Sequence, residues 1–198
     1  MSFRSTLATF EHQLVVAGYP VAQYWNAGLE AGTVRDLFAA AGVVPTPELL
    51  ALYTWKNGQS YEGGLVGELW VGAPGVFYPL EMAIEEYALN QKEHFYEPHF
   101  FPLFDDTLLL NLDPQSPHHG RLYRWCPSLL LLTPERMYDS LEAMLATLTA
   151  CFAQGVYWYN ADGYFDYDMD AEGVLAKALN PHATYWQAED AGNTINLN

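Results

Sequence analysis

The chain has 198 residues, of which 51% are hydrophobic and 15% aromatic, enough to bury a sizeable core and too apolar for a disordered segment. Its 8 Lys and Arg stand against 24 Asp and Glu, a formal net charge of −16. A surface so charged repels phosphate backbones and anionic lipid, which argues against direct nucleic-acid or membrane binding; it reads either as plain solubility or as a surface shaped for a basic partner.

In chain order, Phe3, Leu7, Phe10, Leu14 and Val15 recur at helical spacing, predicting a first helix over 3–17 that Gly18-Tyr19-Pro20 ends. A second is expected from Thr33 to Ala41, with Thr33 as cap and Val34, Leu37 and Phe38 facing inward. The next helix has both ends written in. Thr46 can cap it, Pro47 suits the first helical position, and Glu48 complements the helix dipole. Asn57-Gly58 is expected to close it in the left-handed conformation. Between lie Leu49, Leu50, Leu52, Tyr53 and Trp55, so the domain must wrap most of this helix.

Short strands are expected near Glu68–Val71 and Gly75–Tyr78, followed by a helix from Pro79 to His94 with Glu81, Glu85 and Glu86 on its wet side. Residues 99–126 read as a meander: strands Phe100–Phe104, Thr107–Leu112 and Arg121–Cys126, the last two joined by a turn-rich 113–120. Leu129–Leu132 is expected to extend the sheet, and Thr133-Pro134-Glu135 to open a long helix to Phe152. Asn160-Ala161-Asp162-Gly163 suits a hairpin loop. Beyond it Phe165, Tyr167 and Met169 alternate with Asp166, Asp168 and Asp170, which on a strand sets three carboxylates on one face. A last helix runs from Ala171 to Leu179 and stops at Asn180-Pro181. The fold class expected is α+β, one domain over 1–198, with a mainly antiparallel sheet packed against several helices.

Cys126 and Cys151 have no short spacing, so they are expected as buried, reduced thiols. No signal peptide or membrane-spanning run is read, and the expected location is cytoplasmic. Glu93, His94, Glu97 and His99 are four potential metal ligands, but Pro98 breaks their register and no HExxH pattern occurs. Asp166, Asp168 and Asp170 lack the glycine and glutamate of a calcium loop. No nucleophile elbow, phosphate loop or dinucleotide fingerprint is present, so neither a cofactor nor a catalytic residue is assigned.

An ordered set of motifs resembles the SUKH superfamily, which includes fungal cell-wall-assembly regulators and bacterial immunity proteins. The set comprises Leu52-Tyr53-Thr54-Trp55-Lys56-Asn57-Gly58, then Phe101-Pro102-Leu103-Phe104, then Leu110-Asn111-Leu112-Asp113 followed by Gly120, covering about residues 30–126. Asp105-Asp106-Thr107 stands where many members carry a glycine-rich step. The resemblance implies an α+β binding protein without catalytic residues, in which Trp55 and Phe101 fill the core, Pro102 shapes a strand edge and Gly58 closes a helix. The function expected is that of an immunity protein neutralising a cognate toxin domain, a basic nuclease being one kind; the alternative is an adaptor for an endogenous protein. Charge and expected exposure select Asp105, Asp106, Asp113, Asp162, Tyr164, Asp166, Asp168, Asp170 and Glu172 as partner-binding residues, with no metal site.

Overall fold

The computed structural model describes residues 2–60, 66–72, 75–105 and 108–187. Helix α1 (Phe3–Val16) is capped by the Ser2 hydroxyl and buries Leu7, Phe10 and Leu14 against α7 (Leu141–Ala153). After α2 (Val21–Tyr24), strand β1 (Trp25–Ala27) pairs antiparallel with β2 (Lys56–Gln59). Between them lie α3 (Ala31–Ala40), which starts two residues before the expected Thr33 cap, and α4 (Pro47–Trp55). The Thr46 hydroxyl accepts the Leu49 N–H at 3.1 Å, and this cap is buried. Thr46→Ala is therefore expected to cost about 1 kcal/mol in chemical denaturation.

The end of α4 differs from expectation. The chain leaves the helix at Lys56 in extended conformation, and Asn57-Gly58-Gln59 continues as strand. Gly58 does have a left-handed φ of 68°, but it sits where the backbone of Tyr78 and Pro79 crosses close by. The three residues form a junction. The Asn57 side-chain oxygen accepts the Leu80 N–H at 2.8 Å, serving the open N-terminus of α6 (Leu80–Glu93) from outside. The Asn57 carbonyl accepts from Asn26 at 2.9 Å. Buried Gln59 donates to the Tyr19 hydroxyl and the Leu69 carbonyl, and accepts the Phe77 N–H. Every polar atom of that amide is satisfied, as a buried amide requires.

The expected strand near 68–71 is instead a helical turn, α5 (Val66–Leu69), and 75–78 makes only an isolated bridge, Phe77 with Phe104. Gln59 and Tyr19 hold these segments by side-chain hydrogen bonds, and 76–78 also exchanges backbone bonds with Leu103 and Asp105. The main sheet is antiparallel in the order β3 (Phe100–Phe104), β4 (Leu108–Asn111), β5 (Leu122–Cys126), β6 (Leu131–Tyr138). Pro102 lies on edge strand β3, where a missing N–H is tolerated. β6 replaces the first turns of the expected 133–152 helix: the run pairs with β5, and α7 begins only after Ser140, whose hydroxyl accepts the Ala143 N–H at 3.0 Å.

One face of the sheet carries Phe101 against Phe38 of α3 and Tyr87 of α6, with ring centroids 5.4 and 5.7 Å apart. Trp55 is half-buried between Phe10 and Trp25, its indole donating to Glu11 at 2.8 Å. Hairpin β7 (Tyr157–Tyr159) with β8 (Phe165–Tyr167) and helix α8 (Met169–Leu179) complete the α+β architecture. Cys126 and Cys151 are both buried, and the Cys126 sulfur lies 3.2 Å from the Ser128 hydroxyl. Among the described residues, no helix is long and apolar enough to cross a membrane.

Candidate functional site

The hairpin and the start of α8 hold most of the partner-binding residues expected from sequence. Register pairs Tyr157 with Tyr167, Trp158 with Asp166 and Tyr159 with Phe165. Alternation therefore separates the two faces. Tyr157, Tyr159 and Phe165 turn inward onto Phe152, with centroids 5.3 to 6.4 Å from its ring. Tyr159 also donates to the Trp70 carbonyl at 2.7 Å. Trp158, 39% exposed, and Asp166 face outward. At the tip, the Asn160 side-chain oxygen accepts the N–H groups of Asp162 and Tyr164, both at 3.0 Å, and Gly163 takes a φ of 85°. Asp162 is exposed there and Tyr164 half-buried.

The three-carboxylate strand face does not form. β8 ends at Tyr167, and Asp168 caps α8 by accepting the Ala171 N–H at 3.0 Å. Asp170 lies in the first turn of α8, where it complements the dipole. A good cap outweighs one more pair of a three-residue strand. The result still sets Asp162, Asp166, Asp168 and Asp170 outward along one short path, and none of the four forms an ion pair among the described residues.

The remaining residues lie elsewhere. The Asp105 carboxylate accepts the Val76 N–H at 2.7 Å, beyond the end of β3. Asp113 accepts the Gln115 N–H at 2.9 Å in the turn after β4, at the other end of that strand, so the two are not neighbours. Asp106 lies outside the described residues.

Glu172 is the clear correction. It is 2% exposed and cannot contact a partner. Helix α8 puts Glu172, Ala176 and Asn180 on one line at four-residue spacing, and all three are buried. Asn180 donates to Thr147 and Ala176 and accepts the Asp139 N–H. Glu172 accepts a short hydrogen bond from the Tyr157 hydroxyl. Burial pushes its carboxyl up to about 7, while the Tyr157 bond and the Arg124 charge pull the other way. Burial likewise pushes the neighbouring Cys151 thiol up to about 12, so it is no nucleophile at neutral pH. The four-residue spacing of Glu172 with Ala176 is the sequence signal that marks it as inward-facing.

A cleft of about 400 Å³ opens where α1, α4 and α7 begin, lined by Phe3, Thr46–Glu48, His119–Gly120 and Asp139–Glu142. Asp139 there gathers Arg121, Arg136 and His182 at 3.8 to 4.0 Å, an arrangement that brings together the entry to β5, β6 and the post-α8 turn. Glu142 accepts from Thr6. Asp139 Oδ1 and Arg136 Nε are nevertheless buried without a hydrogen bond, and among the described lining residues no nucleophile is paired with an oriented base. Among the described residues no group of three or more His, Cys, Asp or Glu is placed to hold a metal ion. No protein-family model matches the chain, and no curated protein matches it.

Proposed function

We propose that this chain is a non-catalytic binding protein that neutralises a cognate toxin domain, docking a basic surface of that toxin against the acidic hairpin and the start of α8. The observation that carries the reading is the outward path of Asp162, Asp166, Asp168 and Asp170 beside exposed Trp158, four carboxylates without an ion pair among the described residues. Exposed carboxylates next to an aromatic ring suit Arg and Lys side chains, and the net charge of −16 extends the attraction beyond contact range. The ordered SUKH-like motifs support the toxin as the partner class.

Stopped-flow association with the toxin domain tests the electrostatic part. The on-rate is expected to fall as salt rises, because the Debye length shrinks from about 10 Å at 0.1 M to about 3 Å at 1 M. Changing Asp162, Asp166 and Asp170 together to Asn is expected to slow association about tenfold, with the fold unchanged because none of these side chains caps α8. A salt-independent on-rate, or an unaltered one in the triple variant, contradicts this docking mode.

A further inference from the structure

Away from the hairpin, the sheet face opposite Phe101 carries a recess of about 150 Å³ lined by Tyr78, Glu86, Phe95, Tyr96, Pro102 and Trp125. Four of the six are aromatic and one is a carboxylate. We propose that this recess is a cation-binding cage that takes an arginine or lysine side chain of the partner protein; the assignment rests on the reading that the partner is basic.

Ring geometry supports it. Phe95 stacks on Trp125 at 6.2 Å and 30°, and Tyr96 meets Trp125 edge-on at 5.1 Å and 69°. Aromatic faces attract a cation through the ring quadrupole, and a guanidinium also stacks on them. Glu86 adds the countercharge and forms no ion pair among the described residues. Burial first, and then the Glu86 carboxylate, push the Tyr78 hydroxyl up to about 12 and raise that of Tyr96. Both hydroxyls therefore stay neutral, and Glu86 is the one carboxylate in the lining of the recess.

The cage is also built in advance. Buried Asn90 grips Tyr96 from both sides, accepting its N–H at 3.0 Å and donating to its carbonyl at 3.2 Å. His94 closes α6 with a left-handed φ of 57°, which turns Phe95 and Tyr96 back over the sheet. The Trp125 indole is fixed by donating to the Leu132 carbonyl at 3.3 Å. An aromatic recess held open by such bonds loses little entropy on binding. Phe95 is nevertheless 51% exposed, a large ring left in water in the same recess as Glu86, which is exposed too. An apolar floor with an acidic rim matches a cationic side chain better than an apolar one.

The test uses the whole chain and three small probes: the N-acetyl methylamides of arginine, lysine and citrulline, the last a neutral near-isostere of arginine. The readout is the indole N–H resonance of Trp125, assigned from Trp125→Phe. A saturable shift with arginine or lysine and none with citrulline is expected. Glu86→Gln, at an exposed helix position, is expected to weaken the response about tenfold, and Phe95→Leu to weaken it as well. An equal response to citrulline, or no saturable shift with either cation, overturns the cage. Since the probes act without the partner, their failure leaves the toxin reading standing, and failure of toxin neutralisation leaves the probe result standing.

Discussion

Glu172→Gln is expected to stabilise the protein by about 3 kcal/mol at about pH 8 and to remove most of its pH dependence between about pH 5 and pH 8. The folded carboxyl titrates at about 7 against 4.5 for an unperturbed one, chiefly because it is buried. The folded state therefore holds a proton that the unfolded state has already released. Stability is highest below the unfolded value and declines as pH rises, until the folded group ionises near 7. The size of the shift corresponds to about 3 kcal/mol. Glutamine keeps an acceptor for the Tyr157 hydroxyl without bringing a charge into the core. Urea unfolding of both proteins at the two pH values is the measurement. Wild-type stability that rises or stays level over this range, or a variant that loses as much as wild type, contradicts the account.

The second large effect is at Gly58. Two glycines, Gly42 and Gly58, have the same φ of +68°, so an alanine suffers the same backbone penalty at each. Around Gly42 nothing lies within 4 Å of an added Cβ. At Gly58 the added atom would sit 2.2 Å from the Pro79 nitrogen and 2.4 Å from the Tyr78 carbonyl carbon, both backbone. No side chain can turn away to relieve that overlap. Gly42→Ala is expected to cost about 1 kcal/mol, the left-handed penalty alone. Gly58→Ala is expected to cost about 4 kcal/mol or more, since the crossing of β2 over the entry to α6 must open. Soluble yield and thermal midpoints of the pair decide it. Equal losses would mean that conformation, not the close crossing, explains the glycine.

This places the family-like signature in a different role from a helix stop. Thr46, Pro47 and Glu48 were legible because capping is local: three residues and one hydroxyl suffice. The strand Phe100–Phe104, the helix 80–93 and the hairpin loop 160–163 were legible for the same reason, each carrying its period and its turn residues within a few positions. Asn57-Gly58-Gln59 also carries a local signal, a left-handed glycine. What uses it is not local: Leu80, Phe77, Tyr19 and Asn26 meet there from four other parts of the chain. Thr133-Pro134-Glu135 shows the reverse case. It has helix-opening grammar, but β5 offers it a ladder, and the apolar helix behind it has a better start at Ser140.

The candidate site divides in the same way. Outward Asp166 follows from strand alternation, and exposed Asp162 from the loop. Asp168 turned into a cap and Glu172 into a core residue, because α8 starts two residues earlier than its apolar pattern announces. The cage residues are spread over positions 78 to 125 and come together only through the sheet and the turn after α6, so no short motif marks them.

The central claim is that the acidic surface exists to bind and silence a toxic partner. Growth of cells producing any toxin domain encoded beside this gene, with and without this chain, tests it most directly. The account predicts that the chain restores growth, and that changing Asp162, Asp166 and Asp170 to Asn weakens the rescue while the folded protein persists at normal levels. Growth arrest undiminished by the intact chain, with both proteins present and no complex recovered, would contradict it.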